Sequence, residues 1–143
     1  MSRSLFKPAA GVVVLRHMDG DWNVLCLKTF DGKYDLTKGI IDPGEDEFAA
    51  ALRETREEAG ISEIEFPFGK KPLRYDACTM YVGVTNQEPE IVPNPHSGIL
   101  EHAGYSWIPI IDAVNSEKIK KFLQPAVDYA HELIIHHRDK QPF

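Results

Sequence analysis

The stretch TKGIIDPGEDEFAAALRETREEAGI, residues 37–61, decides how this chain can fold, because it joins a loop containing two glycines to an acidic amphipathic segment. It holds seven carboxylates, and Glu54, Glu57 and Glu58 among them become neighbours if the segment is helical. Two carboxylates about 5 Å apart repel each other by about 3 kcal/mol at an effective dielectric constant of about 20. These side chains must therefore spread into water or share a positive partner.

The spacing of the apolar residues predicts a helix over residues 46–59. Its apolar stripe recurs at intervals of four and three, at Phe48, Leu52, Thr55 and Ala59. The acids of residues 45–47 stand at its start, where the helix dipole favours negative charge. Gly60 follows as a left-handed C-cap, so the helix has a defined beginning and end.

Two interpretations of the acidic face are open from the residues alone. Glu is a good helix former, and Arg53 and Arg56 could pair with the acids on a solvated face. Alternatively, the acids bind a hard divalent cation, which prefers oxygen ligands and can polarise a phosphate or a water. The fragment REEAG alone favours the solvated face, whereas Gly39, Glu45 and Gly60 around it favour a built site.

Chain length and net charge limit the number of domains and the kinds of partner that this protein can have. The 143 residues and 16.2 kDa predict a single domain over residues 1–143, long enough for a real core. The net charge of -6 argues against a broad nucleic-acid interface, so we expect no nucleic-acid partner. A small phosphorylated ligand stays possible because a metal ion can supply the missing positive charge.

The apolar segments and cysteines indicate a cytoplasmic protein. The first apolar stretch, within MSRSLFKPAAGVVVL, is too short and too late for a signal peptide, and no apolar run approaches the roughly 18 residues of a membrane helix. Cys26 and Cys78 lack metal-ligand spacing and are expected in buried strands. Both a monomer and a homodimer remain open.

The rest of the chain predicts strands and one long helix. A hairpin is expected from residues 10–16 and 23–29, and further strands over 62–73, 76–85 and 104–109. Residues 86–99 contain three prolines and predict a surface loop, and residues 117–138 predict a final helix. This order indicates an α/β or α+β fold.

Residues 39–61 resemble the Nudix box, G-x5-E-x7-R-E-U-x-E-E-x-G-U, where U is a bulky aliphatic residue. The positions that match are Gly39, Glu45, Arg53, Glu54, Glu57, Glu58, Gly60 and Ile61. Thr55 stands where an aliphatic residue is usual, and we expect it to change packing rather than chemistry. The resemblance implies a mixed β-sheet sandwiched between helices, and hydrolysis of a nucleoside diphosphate linked to another moiety with Mg²⁺ or Mn²⁺.

The same resemblance implies roles for the box residues. Glu54, Glu57 and Glu58 are implied metal ligands, joined by the carbonyl of Gly39. Structural roles are implied for the remaining box residues Glu45, Arg53 and Gly60.

Two flanking segments are similar to the asymmetrical diadenosine-tetraphosphate hydrolases. FDGKYDLTKGIIDPGEDE, residues 30–47, resembles their aromatic-x-x-P-K-G-x-x-x-P-G-E-D segment. Tyr34 takes the usual Trp position, Lys38 matches the Lys, and Thr37 replaces the usual Pro. Tyr34 and Lys38 are therefore implied substrate-binding residues, with Lys38 contacting phosphate.

The second segment, ILEHAGYSWIPIIDA at residues 99–113, resembles their E-H-x-x-Y/W-x-W segment. It implies that Glu101 assists the helix acids at the metal, with either Glu54 or Glu101 as the catalytic base. Glu88 and Glu90 are alternatives to Glu101, and His102 is either a substrate ligand or a structural hydrogen-bond partner.

Tyr81 matches an aromatic residue implicated in adenine stacking, although its apolar strand is equally compatible with a core position. A basic residue usually found shortly before that Tyr is missing from DACTM, residues 76–80.

These similarities imply hydrolysis of diadenosine tetraphosphate to ATP and AMP, with a small nucleotide as the only expected partner. Other substrates for the same chemistry are ADP-ribose, a nucleoside triphosphate or an RNA 5′ end. A nucleotide-sensing module without catalysis is a different class, and the full set of box acids argues against it.

Overall fold

The computed structural model describes residues 7–140. The strands are β1 Ala9–Met18, β2 Asp21–Lys28, β3 Tyr34–Asp35, β4 Thr37–Ile40, β5 Leu73–Tyr75, β6 Cys78–Val84 and β7 Gly104–Pro109. The helices are α1 Glu47–Ala59, α2 Ile110–Val114 and α3 Gln124–Lys140, with a 3₁₀ turn at Lys121–Leu123 before α3.

Within the described residues, seven strands form one mixed sheet. β1 pairs antiparallel with β2 on one side and parallel with β6 on the other. β5 pairs with β6, and β2 also pairs with β7 and β3. The β1–β2 turn places Asp19 and Gly20 at positive φ, 53° and 81°, as a tight hairpin turn requires. The predicted hairpin is confirmed.

β1 changes partner along one edge. Its first part, Ala9–Val12, pairs with β4, whereas its last part, Leu15–Met18, pairs with β2. β2 continues past this point to pair with β3 through Leu27 and Lys28. The short connection from β3 to β4 therefore lies where the two branches of the sheet separate, and this is where the site forms.

The sheet has a hydrophobic core on each face. Val12 and Val14 of β1 point toward α1, and the alternate residues Val13 and Leu15 point toward α3. Ala50, Ala51 and Ala59 of α1 are fully buried, and such small side chains let the helix lie close to the sheet. The expected sheet between helices is thus confirmed.

Helix α1 ends at Ala59 with Gly60 as its C-cap, as the sequence predicts, and begins at Glu47, one residue later than predicted. The Asp46 carboxylate accepts a hydrogen bond from the amide of Ala49 (3.1 Å) and caps the first turn. Gly60 adopts the left-handed conformation (φ 70°) and donates its amide to the Arg56 carbonyl (2.9 Å). Both ends are held by local hydrogen bonds, which fixes the rotation of the acidic face.

Thr55 and Thr37, which stand where an aliphatic residue and a proline are usual, contact each other. Their hydroxyl oxygens lie 3.2 Å apart, and the Thr37 hydroxyl donates to the carbonyl of Val12 (2.9 Å). Thr55 also bonds the Ala51 carbonyl (2.8 Å), so both buried hydroxyls are satisfied between α1 and the sheet.

The predicted strand over residues 62–73 is wrong for most of its length. Only Leu73–Tyr75 joins the sheet as a strand, and Glu65 forms an isolated bridge to Val84. Between them a turn closes with the Gly69 amide on the Phe66 carbonyl (3.1 Å) and Gly69 at φ 94°. Pro67 and Pro72 lack the amide that a ladder needs, which explains the interruption.

The final helix begins at Gln124 rather than at 117, and the short helix α2 was not predicted. Residues 118–120 instead pair with β3, because the Tyr34 amide donates to the Lys118 carbonyl (2.9 Å) and the Lys120 amide to the Tyr34 carbonyl (3.2 Å). This pairing brings a distant segment to the edge of the site.

Cys26 and Cys78 are buried free thiols, as expected. Across residues 7–140, the helices include none whose length and apolar character would let it cross a membrane.

Candidate active site

Arg53 gathers the acids of the helix and the preceding loop. Its guanidinium bonds Glu45 (2.8 Å), Glu54 (2.8 Å) and Glu57 (3.2 Å). It also donates to the carbonyl of Ile40 (3.0 Å), so one cation ties the end of β4 to α1. The resemblance implies structural roles for Glu45 and Arg53, and these contacts are of the kind that such roles require.

Glu54 lies directly against Gly39. A Cβ at position 39 would overlap the Glu54 carboxylate, so only glycine lets this acid approach the strand backbone. Burial raises the pKa of Glu54, and after the opposing effect of Arg53 the charges of Glu57 and Glu101 raise it further. The charge of Glu101 therefore acts on Glu54.

Glu58 turns toward β4 and accepts a hydrogen bond from the backbone amide of Lys38 (2.8 Å). Burial raises its pKa to about 8, despite the Lys38 hydrogen bond. A carboxylate held in this way is costly to ionise without a cation nearby.

This burial predicts that the metal-free protein loses stability as the pH rises. Glu58 keeps its proton in the folded state up to about pH 8, whereas its ordinary pKa is 4.5. The folded state therefore binds more protons between these values, and the free energy of unfolding should fall by about 2 kcal/mol from pH 6 to pH 8. Urea unfolding in the presence of EDTA measures this free energy at each pH. In the Glu58→Gln variant the free energy of unfolding should change far less between pH 6 and pH 8. An equal decrease in the variant would show that other groups cause the pH dependence.

A cleft of about 570 Å³ opens beside Glu58. Acidic, basic and aromatic side chains share it, and its lining consists of Thr29, Phe30, Asp31, Asp35, Lys38, Glu58, Glu101, His102 and Lys120. The cleft therefore joins the box helix to the β2–β3 loop, the segment before β7 and the segment before α3.

Asp35 contacts three of the side chains that line the cleft. Its buried carboxylate lies 3.0 Å from the Lys38 ammonium, 3.3 Å from His102 Nε2 and 3.5 Å from the Lys120 ammonium. Burial opposes its ionisation, but the hydrogen bond to His102 and the charge of Lys38 hold the pKa of Asp35 well below its usual range. Asp35 is thus an anion that holds two lysines in place.

The donor set fits a hard divalent cation. Three carboxylates share one helical turn, and burial raises the pKa of Glu54 and Glu58. Across residues 7–140 no three acidic, histidine or cysteine side chains already converge on one point, since Arg53 holds Glu54 and Glu57 while Glu58 faces Lys38. The three carboxylates therefore lie on one face of the helix, but their oxygens do not meet at a single point.

The predicted site residues divide into two groups. Lys38, Glu58 and Glu101 share the cleft. Tyr81 is 6% exposed and packs its ring edge against Phe48, so the structure favours its core interpretation over stacking. Tyr34 is partly buried against the α3-side core and contributes mainly backbone hydrogen bonds.

Among the alternatives, Glu88 lies elsewhere, paired with Arg16 (2.8 Å) and Tyr105 (3.0 Å). His102 is buried and bonds Asp35, which supports its structural interpretation.

Sequence reasoning missed Asp35 and Lys120. Asp35 lies between Tyr34 and Leu36 in a short strand that the sequence did not predict, and a charged residue flanked by apolar ones was the available signal. Lys120 lies in the run EKIKK, and nothing in the neighbouring sequence indicates a binding role for it. The backbone pairing with Tyr34 brings it to the cleft.

Comparison with known proteins decides the family. The profile of the NUDIX domain matches residues 5–129, most of the chain. The chain belongs to the Nudix family.

Named relatives and a solved structure agree with this Nudix assignment. The asymmetrical bis(5′-nucleosyl)-tetraphosphatase of Caenorhabditis elegans is 33% identical over 74% of this chain and 81% of its own length. The corresponding enzyme of Mus musculus is 28% identical over 88% of this chain and 94% of its own length. The crystal structure of a C. elegans Ap4A hydrolase binary complex superposes with a TM-score of 0.68 at 22% identity, covering 92% of this chain and 99% of that one.

Membership makes this Nudix protein a hydrolase that acts on pyrophosphate bonds. Members of the family act on small nucleotide substrates and generally use divalent metals such as Mg²⁺.

Proposed function

We infer that this protein hydrolyses a phosphoanhydride bond in a dinucleoside polyphosphate and cleaves diadenosine tetraphosphate to ATP and AMP. The observation that carries this inference is the cleft in which Glu58 and Glu101 lie together with Lys38 and Lys120. A polyphosphate chain carries several negative charges, so it needs cations along its length. The named activity of the two relatives supports the same substrate.

Glu54, Glu57 and Glu58 would hold Mg²⁺ or Mn²⁺, joined by Glu101 and the carbonyl of Gly39. Such an ion neutralises phosphate charge and lowers the pKa of a bound water. Glu54 lies against Gly39 and Glu58 accepts the Lys38 amide, so both carboxylates lie next to β4, and Glu58 also lines the cleft.

Glu54 or Glu101 would take the proton of the attacking water. The oxygen of that water forms a bond to one phosphorus, the bridging P–O bond breaks, and the released phosphate keeps the bridging oxygen. Glu101 is exposed and can return the proton to solvent.

Lys38 would neutralise charge on the phosphate chain. Its ammonium is fixed by Asp35 (3.0 Å) and lies 5.5 Å from the centre of the Phe122 ring. Phe30 also lines the cleft and is 67% exposed, so its ring is available to a nucleobase, and stacking contributes about 1–3 kcal/mol per base. A polyphosphate with a base at its end matches this combination.

Chromatography of products tests the function. Diadenosine tetraphosphate, ADP-ribose, nucleoside triphosphates and a 5′-triphosphorylated RNA are each incubated with the protein and Mg²⁺. The tetraphosphate should yield equal amounts of ATP and AMP, with kcat/KM above that of every other compound. Faster cleavage of another compound would reassign the substrate, and tight nucleotide binding without turnover of any compound would instead indicate a sensor.

A further inference from the structure

We propose that Lys120 is a second phosphate-binding residue of the cleft, and that Asp35 is the positioning residue that orients it. The inference rests on the proposed function, because it concerns how the same cleft holds a polyphosphate chain. Lys38 and Lys120 are the two lysines that line the cleft. The fold brings Lys120 to this cleft from a segment more than 80 residues away in sequence.

The backbone around Lys120 is fixed to the sheet. Its amide donates to the Tyr34 carbonyl (3.2 Å), and the Lys118 carbonyl accepts from the Tyr34 amide (2.9 Å). These bonds act as an added strand at the edge of β3 and present the Lys120 side chain to the cleft. The position is therefore set by the fold and not by a free loop.

Lys120 is the more accessible of the two lysines. Its side chain is 36% exposed, compared with 18% for Lys38. An ammonium group carries three N–H donors, so Lys120 can contact Asp35 and still donate to a phosphate oxygen. A ligand in the cleft meets Lys120 without displacing the ion pair.

Asp35 separates the two ammonium groups. Lys38 contacts its Oδ1 (3.0 Å) and Lys120 its Oδ2 (3.5 Å), so each lysine is held on a different oxygen of one carboxylate. The carboxylate is itself fixed by the Leu36 amide (2.9 Å) and by His102 (3.3 Å). Each lysine is therefore held on its own oxygen and keeps N–H donors for a phosphate oxygen.

Lys120→Met tests the phosphate contact, with Lys121→Met as the matched control because Lys121 is exposed and outside the cleft lining. Binding of inorganic tripolyphosphate is measured by calorimetry with Mg²⁺ in both solutions. Lys120→Met should weaken binding about tenfold and raise KM for diadenosine tetraphosphate by a similar factor, with a smaller change in kcat. Lys120→Arg should stay near wild type because it keeps the charge, and Lys121→Met should be unchanged.

A double-mutant cycle tests the role of Asp35. Asp35→Asn should weaken tripolyphosphate binding several-fold in the wild-type background and far less in Lys120→Met. The same loss in both backgrounds would show that Asp35 only supports the fold. Should Asp35→Asn fail to fold, Asp35→Glu, which keeps the charge but shifts the carboxylate, takes its place in the cycle with the same two outcomes.

The two proposals can fail separately. Wild-type affinity for tripolyphosphate in Lys120→Met, or no tripolyphosphate binding by the wild type, would overturn the role of Lys120. A wild-type protein that leaves diadenosine tetraphosphate intact but loses tripolyphosphate affinity in Lys120→Met would refute the proposed substrate and support Lys120.

Discussion

Replacing Glu58 by Gln is expected to lower kcat for diadenosine tetraphosphate by about a thousandfold while the fold stays intact. The amide keeps the volume of the side chain, and its carbonyl can still accept the Lys38 amide hydrogen bond. What it loses is the negative oxygen that we propose as a ligand. Steady-state kinetics with saturating Mg²⁺ measure the change.

Glu63→Gln provides the control for this variant. Glu63 is exposed just beyond the helix, so the same chemical change there should leave kcat near wild type. Metal-free Glu58→Gln should also be at least as stable as the wild type at pH 8, because it no longer buries a charge that is costly to form. A folded Glu58→Gln protein with near-normal kcat would remove Glu58 from the metal site.

Replacing Arg53 by Ala should produce the largest loss of stability. The change removes a guanidinium that is 17% exposed and leaves Glu45, Glu54 and Glu57 without their common partner. Breaking such a network costs about 3 kcal/mol, at the lower end of the range for buried pairs because the site keeps some solvent. The loop before α1 loses its tie at Ile40, so kcat should also fall about a hundredfold.

Arg56→Ala is the matched control, since Arg56 is exposed on the same helix. Its free energy of unfolding in urea should stay within about 0.5 kcal/mol of wild type. Arg53→Lys keeps the charge but loses the planar guanidinium that bonds three acids. Its free energy of unfolding should lie between those of Arg53→Ala and Arg56→Ala. Equal stability of Arg53→Ala and Arg56→Ala would show that the Arg53 contacts contribute nothing.

The sequence predicted the parts of the fold that local patterns determine. The β1–β2 hairpin, helix α1 with its C-cap, β6 and β7 all follow from periodicity and turn residues near each element. The strand predicted over residues 62–73 was wrong because its β-type residues are interrupted by Pro67, Gly69 and Pro72. The start of the last helix failed because pairing with Tyr34 overrides helical periodicity in residues 118–120.

The candidate site shows the same division. Glu54, Glu57 and Glu58 share a helical turn, so their proximity could be read from spacing alone. Lys38 and Glu101 line one cleft with Glu58, and for these two residues the sequence offered only a family resemblance. Asp35 and Lys120 meet only through a tertiary pairing over 85 positions of sequence, which spacing does not reveal.

The repulsion among the α1 acids is reduced by two different means. Arg53 neutralises Glu54 and Glu57 from the side of the loop, and a backbone amide supports Glu58 on the side of the cleft. Neither contact gives Glu58 a formal positive partner of its own, and burial raises its pKa to about 8. A divalent ion beside Glu58 would supply that charge next to the cleft that we propose for the phosphates.

Crystals grown with Mn²⁺ and a non-hydrolysable dinucleoside tetraphosphate would test this directly through anomalous scattering. We expect a Mn²⁺ peak bounded by the carboxylates of Glu54, Glu57 and Glu58 and by phosphate oxygens of the ligand. A fully bound ligand without a Mn²⁺ peak there, and with the three carboxylates turned toward Arg53 or solvent, would contradict a metal-holding role for the α1 acids.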